Sequence, residues 1–130
     1  MKKTRYLIEF GQGADLHGED ATNAASKAIK DAMSHCCMCG SVEIPAAYGR
    51  NTRLEIHIRV GVPRHETVDR SALCRLIPEP DAEVHIEIAE GGLLADGAYN
   101  PPNFDVCGHI LIADAVITVW LIEQSKLEEP

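Results

Sequence analysis

The chain changes hydrophobic rhythm several times along its length. In residues 5–10, Tyr6, Ile8 and Phe10 share one side of an extended backbone and Arg5 and Glu9 the other, which predicts a strand. Leu54 to Val60 alternates most cleanly, and Glu83 to Ile88 repeats the pattern. Residues 109–122 are apolar on both faces for most of their length, which predicts a central, doubly covered strand. Between the first two strands the spacing becomes three and four. Ala21, Ala24, Ala25, Ala28, Ile29, Ala32 and Met33 form one stripe, predicting a helix from an Asp20 N-cap to about Cys36. The stripe is mostly alanine, so this helix can lie close against a sheet. A short second helix is expected over 68–77, stopped by Pro78 and Pro80.

These elements predict an α+β two-layer sandwich, with one mixed four- to five-stranded sheet and two helices on one face. The expected domain is 1–124, followed by a polar tail at 125–130. The other sheet face is expected to carry Glu9, Glu55, His57, Arg59, His85 and Glu87 beside apolar side chains. Such a face is solvated or half of an assembly, and a homo-oligomer is expected. A weak internal echo also appears: a strand, His17, Asp20 and a helix, then a strand, His65, Asp69 and a helix.

Composition narrows the class. The chain has 130 residues, 45% hydrophobic and 25% charged, as in an ordinary soluble domain. Its net charge of −8 and the lack of a basic patch argue against nucleic acid as a partner. No apolar run reaches the ~20 residues that span a bilayer, and the basic start leads into no signal-peptide core. A cytoplasmic protein with no membrane partner is expected. Its five cysteines are expected as thiols rather than disulfides.

Candidate chemistry concentrates in Gly11-Gln12-Gly13-Ala14-Asp15-Leu16-His17-Gly18-Glu19-Asp20. A dinucleotide loop is disfavoured: the third glycine comes two residues late, and Asp15 stands where a pyrophosphate would approach. Two readings remain open. In one, Asp15 orients His17 for acid–base work, or the pair ligates a metal with Glu19, Asp20 or another histidine. Backbone N–H groups at Gly11, Gly13 and Gly18 would then hold an oxygen of a small-molecule ligand. In the other, the glycines form a bulge and Asp15 a turn.

The octapeptide Gly11 to Gly18 resembles the G-x-G-x-D-x-H-G motif of a small family of bacterial conserved hypothetical proteins with longer plant members. The resemblance continues through residues 20–25, 30–32, 60–63, 68–69 and 90–93. It implies membership of a family of uncharacterised function, with Gly11, Gly13, Asp15, His17 and Gly18 as motif positions, and supplies no substrate or cofactor. A looser likeness, of fold alone, is to the repeat units of ring-opening amidohydrolases.

Cys36 to Cys39 forms a C-x-x-C at a helix C-terminus, where the dipole opposes a reactive thiolate, so it reads as structural. Cys107 and His109 do not complete a standard zinc spacing with it. Asp114 is expected at an interface or facing solvent, and Trp120 as a core or interface anchor. His57 and His85 read as surface or interface groups. His65 and His109, near strand ends, are the expected recruits to join His17. The functional expectation is a small-molecule hydrolase or isomerase with an Asp15/His17 acid–base site. The alternative is a non-catalytic oligomer that binds a metal or metabolite with the same loop. A structural assembly protein is the third possibility.

Overall fold

A computed structural model describes residues 1–43, 51–78, 82–100, 105–106 and 108–124. The proposed tail at 125–130 and Cys107 lie outside them. The strands are β1 (Lys2–Asp15), β2 (Asn51–Gly61), β3 (Glu83–Ala89), β4 (Leu93–Asp96), β5 (Tyr99–Asn100), β6 (Asp105–Val106) and β7 (His109–Gln124). The helices that matter for packing are α1 (Ala21–Met33) and α2 (Arg70–Cys74). The main sheet runs β1-β7-β2-β3, with β4 also paired to β7. The fold is the expected α+β class with one mixed sheet.

Strand direction positions everything else. β7 is antiparallel to both β1 and β2, and β2 is parallel to β3. β1, β2 and β3 therefore all end at the side of the sheet where β7 begins. The segments after those three strands converge there with His109.

The alanine stripe of α1 packs as expected: Ala21, Ala24, Ala25, Ala28, Ile29 and Ala32 are buried. Asp20 caps the helix, its Oδ1 accepting from the Asn23 N–H at 3.1 Å. The helix ends at Met33, short of Cys36, because Ser34 caps it by donating its N–H to the Lys30 and Asp31 carbonyls. Facing the stripe are Ile56, Ile58 and Val60 of β2, and Leu111, Ala113, Ala115, Ile117 and Val119 of β7.

Three expectations need correction. First, Gly11 and Gly13 lie within β1, not in a loop; the loop is only residues 16–20. A Cβ on Gly11 would sit 2.3 Å from the Ala32 nitrogen, and one on Gly13 2.4 Å from the Ala28 nitrogen. The two glycines admit α1 onto the strand. Second, Glu9 belongs to the covered face and is buried, while Ile8 and Phe10 point to the open face at 52% and 74% exposure. Alternation in β1 was legible, but the buried side carries the glycines and Glu9. Third, β7 is central but open on one side, with Asp114 and Val116 exposed. Leu93–Asp96, paired with Ile112–His109, supplies the fifth strand of the expected four- to five-stranded sheet. It takes over beside β7 where β2 leaves the sheet. Gly92, at φ 66°, makes the transfer: a Cβ there would lie 1.9 Å from the Ile112 carbonyl oxygen.

This packing ranks two glycines. Gly13→Ala must displace helix backbone, so its cost lies at or above the upper end of the ~1–3 kcal/mol of overpacking. Gly18 has φ +96° but open space around it, so Gly18→Ala costs only ~1–2 kcal/mol of backbone strain. Urea unfolding of both variants checks the order, and equal costs would contradict the close-packing account.

Candidate functional site

The site grows from the end of β1. Asp15, 5% exposed, is the last residue of that strand. Its Oδ2 accepts the Asp20 N–H at 2.9 Å and its Oδ1 accepts Asn23 Nδ2 at 2.7 Å. The carboxylate thus ties the strand to the first turn of α1. It does not pair with His17, which is exposed and has no hydrogen bond or ion pair among the described residues. The expected Asp15–His17 couple is absent because the helix N-terminus offers Asp15 better donors.

Gly11 and Gly13 also depart from the oxygen-cradling role. The Gln12 N–H points off the sheet edge to Asp31 Oδ2 at 2.9 Å. Strand alternation then turns the N–H groups of Gly11 and Gly13 toward β7. Asp20 is occupied as the α1 cap. Gly18, at φ 96°, reverses the chain.

The reversal delivers Glu19. Its Oε1 lies 2.8 Å from His109 Nδ1 and accepts the His109 N–H at 3.2 Å. Its Oε2 pairs with Arg64 Nη1 at 3.2 Å. Arg64 in turn donates its backbone N–H to Glu90 Oε1 at 3.0 Å. Glu90 Oε2 lies 2.7 Å from His65 Nδ1, and Glu66 Oε2 lies 3.2 Å from the same nitrogen. A continuous chain of groups therefore runs His109–Glu19–Arg64–Glu90–His65 across the ends of β1, β2 and β3 and the start of β7. Two of the expected recruits, His65 and His109, are brought to one network; His17 sits beside it in the loop.

Among the described residues, Glu19 and Arg64 are the non-glycine residues with positive φ, at 52° and 60°. Such backbone costs ~1–2 kcal/mol each and persists where surrounding contacts impose it. Here the two strained residues form one ion pair. Arg64 and Glu90 do not stand out in the sequence as site residues, because neither left-handed backbone nor a contact between distant strand ends marks it. The only available signal was position: charged residues directly after strands that end together.

The electrostatics follow the bonds. Arg64, then His109, holds the Glu19 carboxyl below its ordinary range. His65 and the Arg64 N–H do the same for Glu90. Away from this end, Cys36 Sγ donates to Glu9 Oε2 at 2.7 Å, and that carboxylate pushes the thiol up to about 11. The thiol is therefore protonated at neutral pH, consistent with a non-redox cluster. Asp114 accepts from Gln12 Nε2 at 3.3 Å on the open face. Trp120 is half-buried under Lys3 and Arg5.

The lowered carboxyls give a signed pH dependence. Unfolded, both groups protonate near 4.5; folded, they do so lower. Their stabilisation is complete above the unfolded value and is lost as pH falls through the folded values. Glu19→Gln/Glu90→Gln should therefore flatten the acid limb of thermal stability below about pH 4.5. Parallel acid limbs for variant and wild type would contradict the assignment.

No helix among the described residues is long and apolar enough to cross a membrane. No curated protein matches the chain. In structure it is similar to an FtsZ-like protein of unknown function from Nostoc punctiforme. The two are 32% identical over 95% of this chain and 99% of that one, with a TM-score of 0.74. Residues 5–119 match the model of a family of conserved hypothetical proteins, Lin0512_fam. With the match spanning nearly the whole domain, the chain belongs to the Lin0512 family of conserved hypothetical proteins.

Proposed function

We propose that the network at the sheet end is the acid–base site of a small hydrolase or isomerase acting on a small polar metabolite. His109 is the acid–base group and Glu19, from the glycine-rich loop, orients it. The observation that carries this reading is the 2.8 Å contact between Glu19 and His109 Nδ1. A carboxylate at Nδ1 fixes the tautomer with the proton there, which leaves Nε2 as the basic lone pair. Among the described residues Nε2 of His109 has no hydrogen-bond partner. His65 repeats the arrangement on Glu90 and is the natural second proton carrier. Arg64 keeps Glu19 ionised, so the imidazolium formed on proton uptake meets a negative partner.

A groove of about 470 Å³ on the open face runs between Arg59, Glu87, Asp114 and Val116 and ends at Glu90. That size suits a small metabolite. Asp15, Gly11 and Gly13 serve this site indirectly by holding the strand and helix that set the loop.

The second reading is a non-catalytic homo-oligomer that binds a metal or metabolite. It is favoured by Ile8 and Phe10, which remain exposed on the β1 half of the open face, and by the approach of His65, Glu66 and Glu90.

Turnover of a panel of small esters, lactones and cyclic imides tests the first reading. Wild type should act on at least one. His109→Ala should lose roughly 100- to 10,000-fold in rate, and Glu19→Gln should shift the pH profile. Wild type that turns nothing over, yet sediments as an oligomer and retains a bound metal or metabolite, would replace the enzyme reading with the second. Turnover indifferent to His109→Ala would remove the proposed site.

A further inference from the structure

The parallel register of β2 and β3 places His57 directly opposite His85. Glu55 lies two positions earlier on β2 and so shares the open face with them. The rings of His57 and His85 stack with centroids 4.6 Å apart and planes at 16°. Glu55 Oε1 lies 2.7 Å from His57 Nε2 and 4.0 Å from His85 Nε2. One donor atom from each residue lies within 4.8 Å of the other two. None of these residues belongs to the network at the sheet end.

We propose that Glu55, His57 and His85 form a binding site for a divalent first-row transition ion of the zinc class. Two imidazole nitrogens and one carboxylate oxygen suit zinc, cobalt or nickel, whereas calcium and magnesium want oxygen alone. Bonds of ~2.0–2.2 Å to such an ion bring its ligand atoms to ~3–3.5 Å from one another, within reach of small side-chain rotations here. All three residues stand on paired strands, which fix their Cα positions relative to one another. Three protein ligands leave a coordination position for water or a ligand. That position has room: a groove of about 260 Å³ lies against His57, His85, Arg59, Glu87, Val116 and Thr118.

Two groups compete with the ion. Lys3 Nζ holds Glu55 Oε1 at 3.1 Å, and Glu83 Oε1 approaches His85 Nε2 at 3.1 Å. The Lys3 side chain is 41% exposed and can swing into solvent. Once Lys3 swings away the ion takes over its role of neutralising Glu55, and Glu83 at the edge of the site adds negative charge that favours a cation.

The test is titration of the full chain with CoCl₂ and ZnCl₂, followed by visible absorption and calorimetry. Wild type should bind one ion per chain, with cobalt d–d bands and no thiolate charge-transfer band. His57→Ala, His85→Ala and Glu55→Gln should each weaken binding by at least ~10-fold. Lys3→Ala should tighten it, and His35→Ala, remote from both histidine clusters, should leave it unchanged. Glu55→Gln preserves shape and hydrogen bonding, so it tests the site even if a histidine variant fails to fold. Four results overturn the proposal: no binding by wild type, a thiolate band placing cobalt on Cys36, Cys37 or Cys39, full binding by Glu55→Gln, or loss of binding in His35→Ala.

Discussion

The fold depends on one close approach, that of α1 against β1. At Gly11 and Gly13 the helix backbone comes nearer than any side chain allows, and the alanine stripe meets it from the other side. The interface has little bulk to interdigitate, so its precision comes from backbone shape. A helix seated this deeply needs its first turn held in register. Asp15 does that, binding the Asp20 N–H and the Asn23 side chain while itself closing the strand. The residues that looked most like catalytic machinery thus act first as joinery. Their chemical consequence is carried one step further along the chain, where Gly18 turns and Glu19 meets Arg64 and His109.

Topology then explains why that meeting place collects charge. Three parallel strands discharge their following loops at one end of the sheet, and β7 starts there. Glu19, Arg64, His65 and Glu90 each follow a strand at that end, and His109 begins one. Each ionised group has an opposite partner or a backbone donor, which is what allows the strained backbone at Glu19 and Arg64 to persist. The open sheet face carries the groove that ends at Glu90, and elsewhere it is apolar around Ile8 and Phe10 and histidine-rich across β2 and β3.

Much of this frame was legible in the sequence. The three-and-four spacing of alanines and the Asp20 cap identify α1, and strict alternation identifies β2 and β3. Alternation could not say which face of β1 is covered. Hydrophobicity favoured Ile8 and Phe10 for burial, whereas the helix demanded the side with no Cβ, taking Glu9 inward with the glycines. Gly11 and Gly13 read as loop for the same reason: glycine is rare inside strands except where another backbone comes close. At the site, His65 and His109 were found from their places at strand ends. The partners that bind them were not, because Glu19 and His109 are 90 residues apart and only strand direction brings them together.

Asp15 positions Glu19 through the first turn of α1. Amide hydrogen exchange on Asp15→Ala tests it most directly. In that variant the Asp20 amide, which Asp15 binds, and the His109 amide, which Glu19 binds, should lose protection together while the amides in the middle of β7 keep theirs. Loss at Asp20 with the His109 amide as protected as in wild type would contradict it, leaving the helix anchor and the histidine site as independent features of the fold.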